Sequence, residues 1–340
     1  MKLLVTGGAG FIGSNFVHQT IAKHPDWKLV VLDKLTYAGN LKNLEPELGE
    51  GRCEFVQMDI CDREVADAVR GCDAVIHFAA ESHVDRSIED ASAFVRTNVD
   101  GTHNMLEACR KAGVPRFVHV STDEVYGSLG DTGQFSEETP LQPNSPYSAT
   151  KASSDLLVLA YVHTYKFPGM VTRCSNNYGP YQFPEKFIPL MIAQAMAGER
   201  LPVYGKGANV RDWIHVNDHC SALLTILERG RVGEVYNVGG GCEMQNLDVA
   251  KLILKALGRD ESLIQFVTDR PGHDLRYAIN CQKLERELGW TPQVRFDKGL
   301  ADTIQWYRDN QDWLNDVRSG QYRDYYQRHY THREKTFAGQ

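Results

Sequence analysis

A glycine-rich turn, Gly7-Gly8-Ala9-Gly10-Phe11-Ile12-Gly13, stands between the apolar run Lys2–Thr6 and a helical pattern from Phe11 to His24. It satisfies G-x-G-x-x-G from Gly8 and G-x-x-G-x-x-G from Gly7. Residues this small let the backbone turn sharply and approach a pyrophosphate, whose charge is favoured at a helix N-terminus. The same turn without a ligand is only a tight strand-to-helix link, so its context decides. Here the context repeats the unit. Leu29–Asp33, Phe55–Asp59, Ala74–Phe78 and Phe117–Ser121 are further apolar runs, with helical patterns at Val65–Arg70 and Asn98–Ala112. Strands that are apolar throughout and alternate with helices predict a parallel sheet covered on both faces.

The pattern then continues into a helix over Pro146–Tyr165, with Asn144 and Ser145 as cap candidates, and a sixth strand at Met170–Cys174. From about Asn176 regularity falls. Helices are expected at Phe187–Gly198, Val216–Glu228, Asn246–Leu257, Cys281–Leu288 and Phe296–Asp309, and short strands at Leu201–Tyr204 and Val235–Val238. The expected architecture is an α/β sheet domain, mainly residues 1–175, and a smaller mixed α/β lobe, mainly 176–318, interleaved with it. The tail 319–340 is rich in Arg, Tyr and His without periodicity; fraying and packing on a partner subunit both remain open.

Lys and Arg total 37 against 44 Asp and Glu, a formal charge of -7 that leaves no footprint for a nucleic-acid backbone. No apolar run approaches bilayer-spanning length, and the first residues enter a strand without room for a signal peptide. None of the eight cysteines forms a C-x-x-C, so reduced thiols, a cytoplasmic location and no structural metal are expected.

Asp33 ends the second run, 20 residues after Gly13. Its carboxylate suits two ribose hydroxyls and would repel a 2′-phosphate, favouring NAD+ over NADP+. Asp59 ends the third run, to face an adenine or simply solvent. Lys34 is a candidate phosphate partner or an ordinary exposed charge. Tyr147 and Lys151 are four apart on one helix face. Bringing a phenol from pKa about 10 towards 7 takes roughly 4 kcal/mol, which a neighbouring ammonium and an oxidised nicotinamide both favour. Ser121-Thr122-Asp123-Glu124 follows the fifth strand, at the sheet's carboxyl edge. Hydride exchange needs the tyrosine and hydroxyl donors; two further carboxyl groups suggest elimination and protonation as well. Adjacent strand residues face opposite ways, so Asp123 and Glu124 must both lie past the strand's regular end to share a substrate. One functional and one solvated carboxylate is the alternative.

These residues, with Ala79-Ala80-Glu81-Ser82-His83-Val84-Asp85-Arg86-Ser87, Thr97–Thr102, Ser175–Lys186, Arg211-Asp212-Trp213 and Arg270–Asp274, resemble the extended short-chain dehydrogenase/reductase family over roughly residues 1–315. Within it they look like the nucleotide-sugar 4,6-dehydratases. The resemblance implies a Rossmann-like fold, tightly held NAD+ regenerated each turnover, dTDP-glucose as substrate and a homodimer. It implies that Thr122, Tyr147 and Lys151 assist oxidation at C4, that Glu124 removes the C5 proton and that Asp123 protonates the departing C6 hydroxyl. Gly7, Gly10, Phe11, Ile12, Gly13, Asp33 and Lys34 would hold the cofactor, joined by Thr36, Asp59, Ile60, Ala79, Ala80, Thr97 and Asn177. Ser82, Asn176, Glu185, Lys186, Pro202 and Tyr204 would meet the substrate, as would Arg211, Asn246, Arg270, His273 and Tyr277. Arg211 could instead be a surface ion pair, Tyr204 ordinary packing, and His83 a base or a structural residue. Leu156, Leu157, Leu159 and Val162 would serve a dimer or only the core.

A nucleotide-sugar 4-epimerase shares the first oxidation but has no need of the Asp123–Glu124 pair. A dinucleotide-sensing regulator would not need the catalytic set at all.

Overall fold

The computed structural model describes residues 1–318. Six strands alternate with helices as the pattern predicts: β1 (Lys2–Thr6), β2 (Lys28–Asp33), β3 (Cys53–Gln57), β4 (Ala74–His77), β5 (Phe117–Thr122) and β6 (Gly169–Cys174). After them come β7 (Asn176–Tyr178), β8 (Leu201–Tyr204), β9 (Val210–His215), β10 (Val235–Val238), β11 (Glu243–Gln245) and β12 (Ile264–Val267). A seven-stranded sheet runs β10-β6-β5-β4-β1-β2-β3, every neighbouring pair parallel. β2 and β4 flank β1, with Thr6 opposite both Leu32 and His77. Chain order reverses there, and a crevice opens at the carboxyl ends of β1 and β4, where ligands of such sheets bind.

Alternation along each strand supplies two cores. Leu3 and Val5 pack with Phe16, Val17 and Ile21 of the Phe11–Lys23 helix and with Leu223 and Ile226 of the Val216–Arg229 helix. Leu4 and Leu32 point the other way, to Met105, Leu106 and Val158. The Pro146–Tyr165 helix starts with a capping box: Ser145 Oγ accepts the Ser148 N–H at 3.1 Å and Ser148 Oγ accepts the Ser145 N–H at 3.0 Å. Asn144, the other cap candidate, instead donates to Asp274 at 2.6 Å. Leu157 and Leu159 pack on the second core, whereas Leu156 is 57% exposed.

The smaller lobe joins β11, β9 and β7 in one sheet and pairs β12 with β8. Ile188, Met191, Leu201, Ile253 and Tyr307 fill its core. β10 leaves this half of the chain to pair with β6, Val235 opposite Val171. Four strands depart from the sequence expectation. β7 and β11 are only three residues long, and β9 carries Arg211 and Asp212 in its interior. β12 is an edge with one partner. The helix expected from Asn98 begins as a π-helical stretch over Val95–Gly101 before the regular Thr102–Ala112 helix. Gly101 explains the tight fit, since a Cβ there would lie 2.6 Å from Ile60 Cδ1. Among the described residues no helix is long and apolar enough to cross a membrane. All eight cysteines are free thiols, five buried and three half-buried. The tail 319–340 lies outside the described residues.

Candidate active site

One open cavity of about 1730 Å³ runs along the carboxyl ends of β1, β2, β4, β5 and β6. Its cofactor end is built on the glycine turn. Gly7 has φ 71° and its hypothetical Cβ would meet the Ala79 nitrogen at 2.6 Å; a Cβ on Gly13 would meet the Gly7 carbonyl at 2.3 Å. Nothing larger fits, and the surface so formed is a smooth cradle at a helix N-terminus. Asp33 Oδ2 accepts the Ala9 N–H at 3.0 Å and Oδ1 the Leu35 N–H at 2.9 Å, fixing its carboxyl at the cavity wall. Burial raises the Asp33 pKa despite these donors. Burial would also raise Asp59, but Lys34, 2.7 Å away, and the Cys61 N–H outweigh it and hold Asp59 low. Lys34 is therefore a partner of Asp59 rather than a free charge. Phe11, Ile12, Thr36, Ile60, Ala79 and Ala80 line the same end, together with Gly10, Thr97 and Asn177. The chain's own groups thus fit a dinucleotide with free ribose hydroxyls.

At the catalytic end β5 stops at Thr122, and Asp123–Tyr126 forms a 3₁₀ turn. That turn brings Asp123 and Glu124 to one cavity, with Thr122, Tyr147 and Lys151. Thr122 Oγ1 accepts the Glu124 N–H at 3.2 Å and donates to Asp123 Oδ1 at 3.4 Å. Asp123 Oδ2 is buried without a hydrogen-bond partner among the described residues. Burial, Glu124 and Asp212 push the Asp123 pKa well up. Burial raises Glu124 too, but Arg270, Lys186 and Arg211 all pull it back. Both carboxyls therefore stand above the ordinary carboxylate range, Asp123 well above it and Glu124 held back by the cations around it.

Tyr147 departs from the expected lowering. Burial, Glu124 and Cys174 push its pKa well above 10, with a hydrogen bond to Thr122 opposing them. Lys151 Nζ turns to the Val120 carbonyl at 2.9 Å and lies 3.5 Å from His119 Nε2. Burial lowers the Lys151 pKa to about 8, against the pull of Asp155 and Cys174. The chain alone keeps Tyr147 neutral; ionising it near pH 7 needs a positive charge from outside, which an oxidised nicotinamide carries.

Of the expected substrate residues, Ser82, Asn176, Glu185 and Lys186 line the cavity. Asn176 Oδ1 is buried without a hydrogen-bond partner among the described residues, and Lys186 Nζ donates to the Ser82 carbonyl at 2.6 Å. The others are not part of its lining. Arg211 lies 4.3 Å over the Tyr277 ring and donates to the carbonyls of Val210 and Asp274 at 2.8 and 3.0 Å, buried rather than in a surface ion pair. Arg270 Nη1 is 3.5 Å from Asp85, whose other oxygen accepts the Tyr204 hydroxyl at 2.9 Å. His273 pairs with Asp269 at 2.5 Å, and Tyr277 donates to Asp274. Pro202 is buried in β8 and Asn246 opens its helix. His83 caps the Val84–Glu89 helix, and burial lowers its pKa to about 4.

Two residues that organise the site escape the sequence reading. Asn98 holds both backbone groups of Glu81, at 2.8 and 3.0 Å, and donates to Thr150 at 2.9 Å. Ser87 Oγ accepts the Tyr147 N–H at 3.1 Å. Both lie inside quoted motifs, but only the fold shows what they tie together.

A family model described as GDP-mannose 4,6 dehydratase matches residues 4–303. A dTDP-glucose 4,6-dehydratase of Streptomyces niveus is 52% identical over 324 residues, covering 94% of this chain and 96% of that one. The crystal structure of dTDP-glucose 4,6-dehydratase from Streptomyces venezuelae, solved with NAD bound, superposes with TM-score 0.91 at 54% identity, covering 93% of this chain and all (100%) of that one. The Bacillus anthracis dTDP-glucose 4,6-dehydratase, also in complex with NAD, gives TM-score 0.87 at 50% identity, covering 93% and 99%. With the glycine cradle, the Tyr147–Lys151 pair and the two carboxyls after β5 in one cavity, the chain belongs to the dTDP-glucose 4,6-dehydratases of the extended short-chain dehydrogenase/reductase family.

Proposed function

We propose that the glycine cradle, Asp33 and Asp59 hold NAD+, that dTDP-glucose enters over Asn176 and Lys186, and that the products are dTDP-4-keto-6-deoxyglucose and water. The observation that carries this reading is the contrast between Asp123, pushed well up among carboxylates, and Glu124, pulled back by three cations. Two carboxyl groups driven apart in this way divide into an acid and a base.

Bound NAD+ supplies reversible two-electron chemistry, a hydride accepted from C4 and given back at C6. Tyr147, bonded to Thr122, takes the C4 hydroxyl proton, and Lys151 holds positive charge beside it. The resulting ketone acidifies C5–H. Glu124 removes that proton while Asp123, protonated, gives its own to the departing C6 hydroxyl, and water leaves. A proton then returns to C5. Arg211 and Arg270 supply fixed positive charge toward the diphosphate; Tyr204, Asn246, His273 and Tyr277 shape that end.

Residues 1–175 mainly serve the cofactor and 176–318 mainly the nucleotide sugar. Exposed Val95, Leu156 and Tyr165 support pairing of two copies through the Pro146–Tyr165 helix, and the free thiols suit the cytoplasm. Incubation with dTDP-glucose tests the activity: a 4-keto sugar lighter by one water supports it, and a galacto isomer of unchanged mass overturns it in favour of an epimerase.

A further inference from the structure

A second cavity, of about 890 Å³, shares a wall with the first: Ala38, Gly39 and Phe183 line both. Tyr37 and Arg86 line only the second. The wall is assembled from three segments far apart in sequence: the loop after β2, residues 81–89 with the Val84–Glu89 helix, and the turn before the Phe187–Ala197 helix. Arg86 joins them. Its Nε and Nη2 both reach Glu185 Oε2 at 3.0 Å, and its guanidinium carbon lies 3.9 Å from the Tyr37 ring centroid. Tyr37 also hydrogen-bonds Glu185 and meets Phe183 edge-on at 5.8 Å.

The Glu185 side chain is 1% exposed, so its charge is screened little and its pairing with a rigid guanidinium fork is strong for a protein ion pair. A second tie joins two of the same segments, Lys186 Nζ to the Ser82 carbonyl at 2.6 Å. Each segment also contributes residues to the first cavity: Thr36 and Ala38, Glu81 and Ser82, Gln182 and Lys186. None can swing away without breaking the Arg86 contacts or the Lys186 tie. A reaction that ends with its cofactor in the starting oxidation state has no step that requires release.

We propose that Tyr37, Arg86 and Glu185 form a clasp that retains the dinucleotide between turnovers, acting on its release rather than on the chemistry. This rests on the NAD+ reading above and gives Glu185 a task besides the substrate contact implied by resemblance.

The test is a release measurement. Full-length protein is loaded with NAD+, desalted, and its bound NAD+ assayed over time. Arg86→Gln and Tyr37→Leu should release NAD+ roughly tenfold faster than wild type, the scale of one lost desolvated cation–π or ion-pair contact. Arg86→Lys, which keeps the charge but loses the fork, should fall between. Tyr37 is on a half-buried loop, so its variant keeps the test open if Arg86→Gln fails to fold. Release at the wild-type rate from folded variants overturns the clasp while leaving the cofactor site intact. Wild type that takes up no NAD+ overturns the cofactor reading itself.

Discussion

Thr122 Oγ1 accepts the backbone N–H of Glu124 at 3.2 Å, and that bond caps the 3₁₀ turn that sets Glu124 beside Asp123 in one cavity. The two carboxyls then differ in charge environment. Glu124→Gln should therefore permit oxidation at C4 and stop the next step. Rapid mixing with dTDP-glucose should show reduced nicotinamide that accumulates and persists, with no exchange of C5–H into deuterated water. Asp123→Asn should retain that exchange and lose water elimination by about 10²–10⁴-fold, the usual range for a general acid. Identical partial reactions in both variants would contradict the division of labour.

Tyr147 is raised well above 10 by burial, Glu124 and Cys174. Binding of a ligand with a positive ring beside it should pull out a proton, so NAD+ affinity should rise with pH. Tyrosinate absorbance followed across pH 7 to 9 should appear at lower pH with NAD+ than without it. Tyr147→Phe should abolish that component and lower turnover by about 10²–10⁴-fold with little change in KM. A titration unmoved by NAD+ would show that the cofactor does not set the state of this phenol.

Much of this site was open to a reader of the chain, because its parts are local patterns. The glycine turn, Asp33 at a strand end and Tyr147–Lys151 on one helix face each fit within a few residues. The demand that Asp123 and Glu124 lie beyond regular strand is met by β5 ending at Thr122. What stayed hidden depends on distance in sequence or on charges inside strands. β9 reads as polar because Arg211 and Asp212 occupy it, and both are buried by the fold. The Arg86–Glu185 bridge joins residues 99 apart, and the Asn98 tie to Thr150 joins residues 52 apart. The raised pKa of Tyr147 comes from burial depth, which a four-residue spacing cannot report.

Acid should weaken the fold in a way that one histidine can reveal. His219 is fully buried, donates from Nδ1 to Asn177 Oδ1 at 2.9 Å, and is lowered by burial to about 3. Its unfolded value is about 6.5, so below pH 6.5 the unfolded chain binds the proton that the folded one refuses. Stability is lost as pH falls through that window. His219→Gln should be less stable than wild type at pH 7, and the gap should close by about 1.4 kcal/mol per pH unit below 6.5. Urea unfolding of both proteins at pH 7, 6 and 5 measures it. Parallel curves would mean that His219 takes up its proton as readily in the folded state as in the unfolded one.

The reaction turns on a temporary oxidation whose hydride moves from C4 to C6 of one sugar. dTDP-glucose carrying deuterium at C4, turned over by the protein with its bound NAD+, tests it directly. Deuterium is expected at C6 of the 4-keto-6-deoxy product, with solvent hydrogen at C5. Deuterium returned to C4, or lost altogether to solvent, would contradict it.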